Sequence, residues 1–183
     1  MLGRNVDKDY IDLVYTDDKL GGQLAAYYLI NFHHLDKFVY IKLANAECSR
    51  RRFDAFQKAV KELNSDAEIA VINQNQLNTK LIQLIHNQYY GLFCFNDELA
   101  YEALKILNKE IPNVRKVLPR LHIVGYDCIS TRINGFTDLT SIDFDYDEIC
   151  HTAVKFLLNR FENIKLEQQK IVFTVKLHQR KYI

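Results

Sequence analysis

The chain has 183 residues, 48% of them hydrophobic and 26% charged, the composition of an ordinary soluble protein with enough apolar surface for one large core or two small lobes. Lys+Arg 24 against Asp+Glu 23 leaves a formal charge of +1, which excludes a whole-chain basic field that would hold nucleic acid nonspecifically. No apolar run approaches membrane-spanning length and the opening MLGRNVDKDY carries no apolar signal region, so the expected address is cytoplasmic, with no membrane partner. Cys48, Cys94, Cys128 and Cys150 are scattered without CxxC spacing, the pattern of free thiols.

In chain order, residues 10–16 (YIDLVYT) have strand propensity, and Asp17-Asp18 closes the strand before a helix over 19–32. Leu20, Leu24, Tyr27 or Tyr28, and Leu29 keep helical spacing there. Gly21-Gly22 early in that helix is costly unless a neighbour approaches closely. A second strand (37–43, KFVYIKL) leads through a small-residue loop to Ser49, an expected N-cap for a helix over 50–63 with Phe53, Phe56, Val60 and Leu63 on one face. A short strand at 69–72 and a helix at 77–86 follow, with Leu77, Leu81, Leu84 and Ile85 inward.

Residues 90–127 then form a βαβ unit: a strand at 90–95, Asn96-Asp97, a helix over 98–108, and a strand at 121–126 ending in Asp127. Beyond it the pattern predicts a loop over 128–138, a crossing strand at 139–144 and a helix over 145–161. In that helix Ile149, Ala153, Phe156 or Leu157, and Arg160 share a spacing; a last strand spans 170–177 (KIVFTVKL). Strand and helix alternate strictly up to Asp127, which predicts an α/β fold with a parallel sheet covered on both faces.

In such a sheet the carboxyl ends of the strands line one edge, where ligands bind. Asn96 and Asp127 are expected to face one crevice, with Asp97 capping the following helix; the alternative is that all three only cap and turn. Arg52, one turn into its helix, offers two parallel N–H donors for vicinal hydroxyls or a carboxylate, or is one solvated charge beside Arg50 and Arg51. Asp17-Asp18 adds a carboxylate from another strand end or caps the helix. That donor and acceptor set suits a polyhydroxylated ligand such as a sugar. No GxSxG, P-loop, GxGxxG or HExxH occurs, and the adjacent His33-His34, His86, His122, His151 and His178 are spread over separate elements, so neither an enzyme nor a cofactor or metal site is expected.

Five motifs in register carry a resemblance: Asp17-Asp18-Lys19-Leu20-Gly21-Gly22 with Leu29-Ile30; Ser49-x-x-Arg52-x-x-Ala55-Phe56; Phe95-Asn96-Asp97 with Ala100 and Ala103; Ile123-Val124-Gly125-Tyr126-Asp127; and Leu139-Thr140-Ser141-Ile142. In order and spacing the chain resembles the effector-binding region of the LacI/GalR family of bacterial transcriptional regulators. The resemblance implies a parallel-sheet α/β sandwich of the type I periplasmic-binding-protein kind, with one complete lobe and a partial second lobe. Residues 1–36 with 139–165 correspond to the remnant of the first lobe, and 37–138 with 166–183 to the second. Met1-Leu2-Gly3-Arg4 resembles the last strand of that family's opening set, so the resemblance also implies an amino-terminally truncated chain without the helix-turn-helix.

The resemblance further implies that Arg52, Asn96 and Asp127 contact the effector, that Asp17 does so as in some members, and that Phe144 lies at or near another ligand-facing position. Asp18, Ala55 and Cys128 depart from the family's usual Asn, Gly, and Asp or Asn. The implied partners are a small-molecule effector, a sugar, and a second copy in a homodimer, with DNA engaged only through the missing amino-terminal region. Two other functions fit these residues: a sugar-binding protein of a transport system with the same fold, and a small α/β enzyme using Asp17, Asp97 or Asp127 with a divalent metal.

Overall fold

The structure is a computed structural model that describes residues 11–133 and 139–180; the readings of residues 1–4 as a strand and of 134–138 as part of a loop lie outside them. The elements run β1 (Leu13–Thr16), α1 (Asp18–Tyr27) prolonged by a π-helical turn (Tyr28–Phe32), β2 (Lys37–Lys42), α2 (Glu47–Leu63), β3 (Glu68–Asn73), α3 (Leu77–His86), β4 (Gly91–Cys94) and α4 (Asp97–Glu110). They continue with α5 (Val114–Val117), β5 (His122–Tyr126), β6 (Ser141–Asp143), α6 (Tyr146–Glu162), β7 (Lys170–Phe173) and β8 (Lys176–His178).

Six strands form one sheet in the order β3-β2-β4-β5-β6-β8, parallel except for β8, which runs antiparallel to β6. The fold is therefore mixed α/β with a mostly parallel sheet. Side chains alternate across the pleat, so each strand feeds two cores. Val39, Ile41, Leu92, Cys94 and Ile123 pack under Leu77, Leu81 and Ile85 of α3 and Leu99, Ala103 and Leu107 of α4. Phe38, Tyr40, Phe93, Val124 and Tyr126 point the other way, against Phe56 and Val60 of α2 and Ala25 and Ala26 of α1. The chain winds from β2 outward to β3, then returns to place β4 on the other side of β2. That reversal opens a crevice at the carboxyl ends of β2 and β4.

β1 and β7 pair separately as a two-stranded parallel sheet. The expected single strand over 170–177 thus divides: its first part pairs with β1, Thr174 and Val175 bridge, and its second part joins β6. Helix α6 lies against β1, and Arg160 bonds Asp12 at 2.6 Å. Of the alternatives on that helix, Phe156 is partly buried, whereas Leu157 is exposed with Val154, Leu158 and Phe161. Helix α2 starts earlier than expected, at Glu47, with Ala46 at the cap. Ser49 is not a cap but a buried first-turn residue whose carbonyl accepts from the Tyr40 hydroxyl at 2.8 Å. The short helix α5 was not expected. All four cysteines are free thiols. No helix among the described residues is long and apolar enough to cross a membrane.

Candidate functional site

Five of the loops that follow strands bring their first residues to the same edge. After β2, the sixth residue of α2 is Arg52, only 6% exposed, and therefore not a solvated neighbour of Arg50 and Arg51. Its Nε donates to Asp18 Oδ1 at 2.8 Å and its Nη1 to the Phe95 carbonyl at 2.7 Å. The guanidinium lies over the Tyr126 ring at 3.4 Å from its centroid, a stack that only a planar cation can make. Its Nη2 makes no hydrogen bond among the described residues, which leaves one face of the fork for a ligand.

The adjacent aspartates after β1 divide two roles. Asp17 is the N-cap of α1, accepting from the Lys19 and Leu20 amides at 3.1 and 3.0 Å, and it does not line the cavity described below. Asp18 is the buried partner of Arg52. Burial pushes the Asp18 carboxyl up, and the Arg52 guanidinium beside it opposes the shift.

A similar division follows β4, with the opposite outcome to the expected one. Asn96, not Asp97, caps α4: its Oδ1 accepts from the Leu99 amide at 3.1 Å, while its Nδ2 has only a long contact with Glu98 at 3.5 Å. Asp97 is 1% exposed and accepts from the Ser141 hydroxyl at 2.6 Å and the Ile129 amide at 2.7 Å. It ties the ends of β4, β5 and β6 together. Burial pushes its carboxyl up to about 6.

After β5, Asp127 and Cys128 both take positive φ, +96° and +49°, a conformation that costs non-glycine residues of order 1–3 kcal/mol each. The Cys128 amide donates to Ser141 Oγ at 3.0 Å, and the Asp127 amide to the Ile142 carbonyl at 2.9 Å, which holds the turn. The strain aims the Asp127 side chain into a cavity of about 310 Å³ whose walls include Asn96, Glu98, Arg132 and Tyr146. Arg132 reaches across to Asp143 at 2.5 Å and lies over the Tyr146 ring at 4.2 Å. Phe144, half-buried, stacks on Tyr146 at 4.4 Å and meets Tyr126 at 6.2 Å, and so stands behind this wall.

Arg52, Asn96 and Asp127, distant in sequence, are thus gathered at the switch point of the sheet. Arg132, Tyr146, Glu98 and the pairing of Asp18 were not expected. Arg132 lies in a loop whose polar residues have no period, so no sequence signal marks it. Tyr146 had one: an aromatic in the first turn of a helix that starts at the same edge. Among the described residues no group of three His, Cys, Asp or Glu side chains is placed to hold a metal ion.

Burial is the main cause that pushes the Asp127 carboxyl from its usual range up to about 7, with Arg52 opposing. The folded state therefore holds a proton that the unfolded chain releases near pH 4, and the stability this provides is lost as pH rises through 7. Asp127→Asn is expected to flatten this slope and to stabilise the ligand-free chain by about 2 kcal/mol at pH 8, roughly half of what a buried shift of that size would give. Urea midpoints at pH 5 and pH 8 check it. Parallel pH dependence in both proteins would show that Asp127 ionises freely in the fold.

A family model described as periplasmic binding protein-like domain matches residues 27–181. The chain belongs to the periplasmic binding protein-like domain family. Within this family it is 26% identical over 179 residues to the ribose operon repressor of Escherichia coli (strain K12), covering 92% of this chain and 52% of that protein. It is also 26% identical over 170 residues to the HTH-type transcriptional repressor PurR of Actinobacillus pleuropneumoniae serotype 5b, covering 88% and 49%.

Among solved structures of similar fold, a LacI family transcriptional regulator from Enterococcus faecium with bound ribose superposes with a TM-score of 0.77 at 24% identity, over 96% of this chain and 66% of that one. A periplasmic binding protein/LacI transcriptional regulator from Alkaliphilus metalliredigens, complexed with D-xylulofuranose, gives 0.79 at 22%, over 97% and 67%. The resemblance to the effector-binding region of LacI/GalR regulators is borne out, and these relatives are regulators, not enzymes. The chain spans about half the length of the curated relatives it matches, 52% and 49%.

Proposed function

We propose that this chain is the effector-sensing region of a LacI/GalR-like transcriptional regulator, and that its effector is a sugar bound at the carboxyl ends of β2, β4 and β5. The observation that carries this reading is that Asn96, a mixed donor and acceptor, and Asp127, a carboxylate, line one cavity, while the planar donor Arg52, held on the Phe95 carbonyl, stands close enough behind it to act on the Asp127 charge. Vicinal hydroxyls present matching donors and acceptors. The ribose and xylulofuranose in the solved structures of similar fold support a pentose as the first ligand to test.

In this reading β1, α6 and β7 belong to one lobe and the six-stranded sheet with α2 to α5 to the other, a division that moves residues 170–173 out of the expected 166–183 group and 141–143 out of the expected 139–165 group, because β7 pairs with β1 and β6 with β5. Ligand binding biases their relative orientation through its different affinity for the two arrangements. The working unit is a cytoplasmic homodimer without enzymatic activity, repressing transcription through DNA contacts made outside this region. The exposed apolar residues of α6 support association with a second copy.

D-ribose at about 100 times its Kd is expected to add about 2.7 kcal/mol, a rise of about 5–10 °C in Tm for a chain of this size. Asp127→Asn, which keeps the shape of the side chain and removes its acceptor charge, is expected to lose most of that rise, and Arg52→Lys to reduce it. Equal responses in the wild type and both variants would place the sugar elsewhere. No response in the wild type to D-ribose or D-xylulose would refute a pentose effector.

A further inference from the structure

The opposite edge of the main sheet carries a second cavity, of about 410 Å³, where β5 and β6 begin and β8 ends. Its walls include three cationic side chains, Arg115, Lys116 and Arg180, and no carboxylate among the described residues. A chain with a formal charge of +1 does not gather three positive charges around one hollow as a by-product of a basic surface. Neither Arg115 nor Lys116 forms an ion pair among the described residues.

The cation-bearing turn is anchored. Arg115 and Lys116 sit on α5, whose first residue, Val114, is fully buried and donates its amide to Asn108 Oδ1 at 3.3 Å. The turn closes through the Leu118 amide on the Val114 carbonyl at 2.7 Å. The cavity's other lining combines apolar walls with a polar floor. Leu121, Ile123 and Leu139 are 7%, 7% and 1% exposed, and the Tyr28 and Thr140 hydroxyls meet at 3.4 Å. Thr140 is fixed in turn by the Arg180 amide at 3.2 Å. His122 stacks on His33 at 3.3 Å between ring centroids, and burial holds it neutral at pH 7, so it contributes a hydrogen-bonding ring without a charge.

We propose that this cavity is a second ligand site, independent of the sugar cleft, and that it takes a small organic anion with a compact apolar body. The anion would be drawn in by the cations of the wall, Arg115 and Lys116 foremost, while its body packs against the buried apolar side chains Leu121, Ile123 and Leu139. Ligands at this sheet edge would approach the amino ends of the strands, away from Asp127 and Arg52.

The test uses the whole chain with benzoate, its neutral analogue benzyl alcohol, and inorganic phosphate as probes, read by amide chemical-shift perturbation and by Tm. Benzoate is expected to shift amides in 113–123 and 139–141 and to raise Tm, with phosphate weaker and benzyl alcohol without effect. Arg115→Ser/Lys116→Ser, which removes two exposed or half-exposed side chains, is expected to weaken benzoate at least tenfold with the ligand-free Tm unchanged; Arg115→Gln alone gives a smaller loss. Benzyl alcohol acting like benzoate, shifts confined to residues around 96 and 127, or an unchanged benzoate Kd in either variant would overturn the proposal. The ribose response measured on the same samples keeps the two sites apart: either can fail without the other.

Discussion

Arg52→Ala is expected to cost the fold about 4 kcal/mol, because it breaks a buried ion pair from one side. Asp18 would be left as a carboxylate about 8% exposed with its charged partner gone. The same substitution orphans the Phe95 carbonyl and removes the cation from the Tyr126 ring. Since burial already pushes Asp18 upward, the variant should regain part of its stability in acid, where the carboxyl is neutral. Replacing both partners by apolar residues of similar volume, Asp18→Leu with Arg52→Met, is expected to recover most of the loss. Urea unfolding of the three proteins at pH 5 and pH 7 decides it. A single variant within about 1 kcal/mol of wild type would mean that the pair is open to water.

Gly22→Ala is expected to lose about 3 kcal/mol, although alanine is the better helix former by about 1 kcal/mol. A Cβ at this position would stand 2.3 Å from the Arg52 carbonyl oxygen and 2.9 Å from the Phe56 amide nitrogen. Both are backbone atoms of α2, so no side chain can rotate away and the two helices must separate. Gly22 is therefore what allows α1 and α2 to cross closely enough for Asp18 to reach Arg52. Thermal unfolding of the variant reads the cost, and a neutral or stabilising result would show that the helices are not in backbone contact.

The close neighbour demanded by Gly21-Gly22 was thus legible in the sequence, as were the parallel sheet and the gathering of Arg52, Asn96 and Asp127, because strand and helix periods are long-range regularities. What failed was the assignment of roles between adjacent residues. Asn96 and Asp97 both favour caps, and so do Asp17 and Asp18. Which one caps and which turns inward depends on a one-residue phase at the helix start, set by Arg52 for Asp18 and by the space at Gly125 for Asp97. A Cβ there would lie 1.9 Å from Asp97 Oδ1, so only glycine leaves the space that Asp97 fills. Ser49 failed for the same reason, its hydroxyl going to Tyr40 and not to a free amide. The division of 170–177 was illegible because Thr174 and Val175 continue a run of strand-forming residues; only the partners of β7 and β8 reveal the change of sheet.

That change of sheet has a mechanical consequence. With only Thr174 and Val175 between β7 and β8, a bridge of at most about 11 Å from Phe173 to Lys176 joins the two sheets, and Val175 is itself buried at 5% exposure. There is no slack at this crossing. Any rotation of one sheet against the other would have to be absorbed in part as torsion at those two residues, the shortest of the segments that tether the sheets.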